Sequence, residues 1–497
     1  MRVEWTGKRI ETCDAALVAV LALEGAESGA FDEVDRLSDG AVRAQAAEES
    51  FKGQDGRVLE WRGVLGGRTR RVVAVGLGGR AAEAAAIRDA VARGCAAAVK
   101  QRVKSAALFL DTGGAAAVLP QLGWAVEALR LASYRFDAYR SKPAAGAEIR
   151  RFVVGVHGAT GRPSTAAAEA AVAKADARAA AVNLCRDLVN EPANSLGPPQ
   201  FAAAARRIAR EKRLSCRVWN AAELRRRGMR LILAVAAGSG VEPRLVHLTY
   251  KPARRATHRV VLVGKGVTFD SGGLCLKPAK TMADMKTDMA GGALVLAALS
   301  AAADLRLGME VHALIPLAEN GVGAGAARPG DVVEGSSGTT VEIVNTDCEG
   351  RLLLADALSY ACELGADEIV DFATLTGACP VALGPHRAGL LSADDALAHR
   401  FEEAAAAAGE LVWRLPLADE LERDLRSDVA DVKNAGGRFG GTIAGGLFLK
   451  RFVAAKTPWL HVDIAGPARA EHATPLCPRG GTGYGVLSCL AFLERDF

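Results

Sequence analysis

The chain has 497 residues, of which 50% are hydrophobic and 24% charged, with a formal net charge of +5. That composition supports a large core, and the length suits two or three domains. No uninterrupted apolar run approaches the roughly 18 to 20 residues needed to span a bilayer, so no membrane association is expected. The small, dispersed charge does not demand nucleic acid as a partner.

The opening Met1-Arg2-Val3-Glu4-Trp5 lacks the basic start, apolar core and small-residue cleavage site of a secretory signal, so a cytoplasmic location is expected. Residues 71–76 read as a strand, 80–100 as an Ala-rich helix, 106–111 as a strand, 115–134 as a helix and 149–156 as a strand. This alternation predicts an α/β layer structure. Turn residues then cluster at 158–164, before a long Ala-rich helix beginning near Thr165. Further on, 259–264, 310–316, 340–344 and 368–373 read as buried strands separated by Ala/Leu-rich helices, which predicts a second, larger α/β domain. The expected division is an N-terminal α/β domain at 1–160, a linker helix at 161–190 and the larger domain at 191–497. No period of about 20–50 residues recurs, so a solenoid or propeller is not supported.

Several familiar signatures fail. Gly76-Leu77-Gly78-Gly79-Arg80-Ala81 fits only the loosest dinucleotide fingerprint, and no acidic residue ends a second strand about 20 residues later. A tight strand-to-helix turn explains it. Gly264-Lys265-Gly266 has Gly where a phosphate loop needs Ser or Thr, and there is no G-x-S-x-G elbow. The eight His residues form no H-E-x-x-H pair, and the ten Cys, spread from Cys13 to Cys489, form no CxxC pair. The cysteines are expected to be reduced and mostly buried, and carboxylates must hold any metal. Basic clusters at Arg225-Arg226-Arg227 and Arg68-Thr69-Arg70-Arg71 read as a solvated helix face and a solvated strand entry.

Two segments concentrate charge where burial is expected. The first runs from Lys265 through Asp270 and Lys277 to Asp288, starting at the end of an apolar strand, where α/β sheets form ligand crevices. The second is Asn345-Thr346-Asp347-Cys348-Glu349-Gly350-Arg351. An extended backbone there would send Asp347, Glu349 and Arg351 to one face and Cys348 to the other. Four carboxylates in one cleft repel each other unless cations are present, and the oxygen-rich set suits two hard or borderline dications. A Lys near such ions can ligate as a neutral amine, and one further off stays charged to stabilise an oxyanion. A surface salt-bridge network explains poorly the glycines at 264, 266, 272, 273, 291, 292 and 350, which permit close backbone approach.

With these motifs the sequence resembles the leucine aminopeptidase, or cytosol aminopeptidase, family. Its hallmark is similar to 345–352, and the likeness extends to Asp187-Leu-Val-Asn190-Glu-Pro-Ala-Asn194, Glu319-Asn320, Arg328-Pro-Gly-Asp331, Ala373-Thr-Leu-Thr-Gly377 and His461-Val-Asp-Ile-Ala-Gly466. The resemblance implies a smaller macro-like N-terminal α/β domain and a larger α/β/α metallopeptidase domain with a central mixed sheet. It implies one ion, Mn²⁺ or Zn²⁺, on Lys265, Asp270, Asp288 and Glu349, and a second on Asp270, Asp347 and Glu349. Lys277 and Arg351 are implied to be catalytic, with bicarbonate held at Arg351 as general base, and Met285, Thr374 and Gly377 to line the pocket for the first side chain. The implied reaction removes N-terminal Leu or other apolar residues from peptides, and the implied assembly is a homohexamer. Cys348 stands where this family usually has Ala, and Cys275 lies in the other metal segment. Some members of the family bind DNA, but the short patch at 68–71 gives that reading no support here.

Overall fold

A computed structural model describes residues 1–25, 29–79, 83–111, 115–142, 149–158 and 163–495. The first three residues expected in the 80–100 helix, and 159–162 of the turn cluster expected at 158–164, lie outside the described residues. The chain divides into two compact units, Met1–Ala180 with His472–Pro478, and Ala181–Glu471 with Arg479–Phe497. The helix Thr165–Asn190 runs through the point of division.

In the first unit six strands, β1 (Arg2–Trp5), β2 (Leu17–Ala22), β3 (Val58–Leu65), β4 (Arg68–Gly76), β5 (Ser105–Leu110) and β6 (Arg151–Val156), lie in the order β1-β6-β5-β2-β4-β3. All pairings are parallel except β3 with β4. Both faces of β2 are covered, which is why it reads as an unbroken apolar run. Leu17, Ala19 and Leu21 join the core under the helices Ala84–Lys100 and Ala115–Ala132, whereas Val18, Val20 and Ala22 join the opposite core with Val34 and Val42. The strand entry at 68–71 differs from expectation at Arg70, which is buried and donates to the carbonyls of Ile10 (2.8 Å), Glu11 (3.1 Å) and Cys13 (2.5 Å).

The second unit contributes β7 (Ser215–Trp219), β8 (Arg244–Tyr250), β9 (Arg259–Gly264), β10 (Gly266–Asp270), β11 (Glu310–Asn320), β12 (Asp331–Glu334), β13 (Thr340–Ile343), β14 (Glu368–Ala373), β15 (Arg387–Ser392), β16 (Leu411–Arg414), β17 (Val432–Lys433) and β18 (Trp459–Asp463). The central mixed sheet runs β16-β15-β18-β14-β9-β11-β8-β7, with β10 extending beside the far half of β11. Its middle strands β18, β14, β9 and β11 are parallel, so their carboxyl ends share one edge. The strand expected at 340–344 is not part of this sheet. It pairs with β12 and β17 in a small separate sheet and buries only alternate residues, Val341 and Ile343.

Helices cover both faces. Val261, Val263, Leu314 and Ile369 pack with the helices Arg230–Ala236, Gly350–Glu363 and Gly441–Lys450, while the helix Ala290–Leu305 lies against the sheet from the other side. Among the described residues, Met285–Leu305 is the one helical stretch long and apolar enough to cross a membrane, and 83% of its apolar window is buried in the fold. An all-round apolar surface is what a core helix requires. All ten cysteines are free thiols, and six of them are buried.

Candidate active site

The carboxyl ends of β9, β10, β11 and β14 converge on one cluster. Lys265 follows β9 directly, and its backbone is fixed from both sides: its N–H donates to Phe372 O at 3.0 Å, and its carbonyl accepts from Gly292 N at 2.7 Å. The side chain is 3% exposed, and Nζ lies 2.7 Å from Asp288 Oδ1, 2.9 Å from Glu349 Oε1 and 2.9 Å from the carbonyl of Thr374, just past β14. Asp288 sits on a short 3₁₀ turn, Met285–Met289, and also accepts from Thr374 Oγ1 at 2.7 Å. On the other flank, Lys277 Nζ bridges Asp270 Oδ2 (2.7 Å) and Asp347 Oδ1 (2.5 Å).

The backbone of 345–351 is not the extended segment expected. Residues 346 and 347 form a turn, and Glu349 is the N-cap of the Gly350–Glu363 helix with φ −74° and ψ −36°. The turn is local chemistry: Asn345 Oδ1 accepts from Asp347 N at 2.9 Å, and the Asn345 carbonyl accepts from Cys348 N at 3.2 Å. A turn feeding a helix start brings Asp347 and Glu349 together, so the convergence follows from a cap and not from two-residue alternation. Cys348 is half-buried, burial pushes its thiol pKa up, and it is not among the side chains that converge.

One ligand oxygen from each of Asp270, Asp347 and Glu349 lies within 4.8 Å of the others. Burial raises the pKa of Asp270 and Asp347, and raises that of Asp288 well above the usual carboxylate range. For the two lysines burial opposes the charge, but the surrounding carboxylates outweigh it and hold both pKa values above the ordinary. Positive charge is thus strongly favoured here. Among the described residues, Asp288 Oδ2 and Glu349 Oε2 are buried with no hydrogen-bond partner. Unsatisfied oxygens around a carboxylate trio are the donor set for hard divalent cations.

Arg351 is buried in the first turn of its helix. Its Nη1 donates to Asn434 O at 2.8 Å, its guanidinium carbon is 5.9 Å from the centre of the Phe448 ring, and Nε has no partner. Having no carboxylate partner among the described residues, it keeps donor capacity for an anion. Met285 is half-buried one turn before Asp288, Thr374 touches Asp288, and Gly377 precedes the Ala378–Leu383 helix with open space where a Cβ would stand.

Three supports carried no role in the sequence. Asn434 donates through Nδ2 to Asn345 O (2.7 Å) and accepts through Oδ1 from Val344 N (2.9 Å), fixing the hallmark turn. Asp463 accepts from Leu375 N (3.1 Å) and Thr376 Oγ1 (2.7 Å), and so anchors the loop that carries Thr374. Behind it Asp371 accepts from Trp459 Nε1 (2.7 Å) and pairs with His461 Nδ1 (2.6 Å). The motif His461-Val-Asp-Ile-Ala-Gly466 was the only signal for any of these.

Comparison with known proteins gives a consistent picture. Residues 183–490 match the family profile "Cytosol aminopeptidase family, catalytic domain", and 18–143 match "Cytosol aminopeptidase family, N-terminal domain". A probable cytosol aminopeptidase of Syntrophotalea carbinolica is 42% identical over 470 residues, covering 93% of each chain. One from Aquifex aeolicus is 39% identical over 488 residues, covering 96% of this chain and 95% of that one. Among solved structures, the bottromycin maturation enzyme BotP in complex with Mn aligns with a TM-score of 0.85 at 39% identity over 97% of this chain and 99% of that one. A mutant tomato leucine aminopeptidase aligns with a TM-score of 0.89 at 34% identity over 99% and 96%.

Proposed function

Because the chain belongs to the cytosol aminopeptidase family and is a metal-dependent aminopeptidase acting on peptides, we propose that it removes N-terminal Leu and other apolar residues using two divalent cations held in the carboxylate cluster. The observation that carries this is the approach of Asp270, Asp347 and Glu349 to within 4.8 Å, beside buried oxygens of Asp288 and Glu349 that lack partners. Lys265, Asp270, Asp288 and Glu349 would hold one cation, and Asp270, Asp347 and Glu349 the other. Mn²⁺ and Zn²⁺ both suit the donors, and a relative solved with Mn supports the first.

When bound, such ions act as Lewis acids on the scissile carbonyl and lower the pKa of water enough to supply a nucleophile. Lys265 would hold the cation as a neutral amine, since a neighbouring dication disfavours its proton. Lys277 keeps its charge and stabilises the developing oxyanion. Asp288 faces the free α-amine of the substrate, a group that an internal peptide bond lacks, which confines the reaction to chain ends. Arg351, whose Nε is unpaired and whose guanidinium has no carboxylate partner among the described residues, would hold a bicarbonate as general base. Met285, Thr374 and Gly377 line an apolar pocket for the first side chain.

The working assembly is a homohexamer in the cytoplasm, and sedimentation velocity tests the first of these: a monomeric species at micromolar concentration would reject it. The activity is tested with Leu-p-nitroanilide. Hydrolysis is expected to vanish on chelation and return with Mn²⁺ or Zn²⁺, while the N-acetylated analogue stays intact. Cleavage of the blocked substrate would remove the amine-recognition role.

A further inference from the structure

β10 and β11 run parallel but not in one continuous register. Gly266 pairs with Leu317 and Val267 with Ala318, and the ladder then shifts so that Phe269 pairs with Glu319 and Asp270 with Asn320. Thr268 is the extra residue of this bulge. Counting on without it would set Asp270 opposite Gly321, which has no side chain to offer. Bulges beside functional sites re-aim a side chain, and here the shift sets the Asp270 carboxylate beside the Asn320 amide.

Asn320 is buried, and the two hydrogens of its amide nitrogen are both used: one on Asp270 Oδ1 at 2.8 Å, the other on the carbonyl of Thr346 at 3.1 Å. Both neighbours can only accept, so the nitrogen must face them. Gly272 N is a second donor to Asp270 Oδ1, at 2.9 Å. The Asn320 carbonyl accepts from Ser271 N (3.0 Å) and Ser271 Oγ (2.7 Å), and a Cβ on Gly273 would stand 3.0 Å from Asn320 Oδ1. Asn320 therefore ties the 270–273 segment to the 346–349 segment, the two stretches that carry Asp270, Asp347 and Glu349.

We propose that Asn320 is the positioning residue of the metal centre: it occupies Oδ1 of Asp270 so that the carboxylate presents its other oxygen, Oδ2, to the cations. The inference rests on the two-metal reading above. Partners of this kind orient a ligand and fix which oxygen it offers. Without the amide, Asp270 Oδ1 keeps one donor, Gly272 N, instead of two, the carboxylate is fixed less firmly between that donor and Lys277 Nζ on Oδ2, and the Thr346 carbonyl loses its tie to β11.

Metal-free protein is titrated with Mn²⁺, following free Mn²⁺ by electron paramagnetic resonance, for wild type, Asn320→Ala, the near-isosteric Asn320→Leu and the ligand control Asp270→Asn. The Asn320 variants are expected to bind Mn²⁺ about 10- to 100-fold more weakly. At saturating Mn²⁺ their kcat falls by a larger factor than KM rises, and their metal-free melting temperatures stay near that of wild type. Wild-type Mn²⁺ affinity in both variants overturns the positioning role and leaves Asp270 a ligand. Loss of affinity that accompanies unfolding of both metal-free variants also overturns it, making Asn320 a structural residue. A wild type that binds no Mn²⁺, like its Asp270→Asn control, overturns the metal reading itself.

Discussion

Gly350 owes its place in the first turn of a helix to Lys265. A Cβ at that position would stand 2.6 Å from Lys265 Nζ, and the lysine is boxed in by Asp288, Glu349 and the Thr374 carbonyl. Ala inside a helix is favoured over Gly by roughly 0.5–1 kcal/mol, yet Gly350→Ala is expected to lose metal and most activity because Lys265 must move. Metal analysis of the purified variant checks this, and full metal content would show that Lys265 has room. Lys277→Ala is expected to keep both metals and lose about 10²- to 10³-fold in kcat, the cost of one oxyanion donor. An unchanged kcat removes Lys277 from catalysis. Cys348→Ala should leave metal content and turnover nearly unchanged. Residue types and spacing marked Lys265, Asp270, Lys277, Asp288, Asp347, Glu349 and Arg351 as one candidate site, and the ion pairs of Lys265 and Lys277 join the first six of them. Asn320 was not readable as a partner of Asp270, because the two are 50 positions apart and meet only through a bulge that no composition or periodicity announces.

Elements are joined by buried polar groups whose protonation opposes one another. Asp356, on the Gly350–Glu363 helix, accepts from Ile232 N (3.1 Å) and Ser336 N (2.8 Å), and burial pushes its pKa up to about 7 from 3.8. A raised folded pKa means that the folded state binds the extra proton, so this contribution is whole below about pH 4 and is lost as pH rises towards 7. His247 on β8 contacts His312 on β11 at 2.8 Å, and burial, with His312 second, lowers its pKa from 6.5 to about 4. Its contribution is whole above 6.5 and is lost as pH falls through about 4. Between these limits the two slopes cancel, each being worth about 1.4 kcal/mol per pH unit. Asp356→Asn should therefore gain stability more steeply than wild type from about pH 4.5 to 6.5, and His247→Gln should lose it over the same range. Urea denaturation at a series of pH values measures both, and profiles that superimpose on wild type would contradict the assignment. β9 and β14 were legible to the residue because burial on both faces makes them continuous apolar runs. The strand at 340–343 was legible as a strand, but not the small separate sheet it joins, because a short β-branched run carries no mark of its partners.

At the scale of the whole molecule, the α/β class and the two-part organisation were legible from alternating strand and helix patterns. The membership of His472–Pro478 in the first unit was not, since a return so late in the chain leaves no local pattern. What the second unit accomplishes is to bring the carboxyl ends of parallel strands from distant parts of the sequence to one edge, where four acids and two lysines meet in one cluster. The proposed occupancy by two dications is measured by elemental analysis of the active protein after dialysis against metal-free buffer containing no chelator. About two divalent ions per chain, with activity lost in proportion as they are stripped, is the predicted result. Full hydrolysis of Leu-p-nitroanilide by protein holding no stoichiometric divalent metal would contradict it.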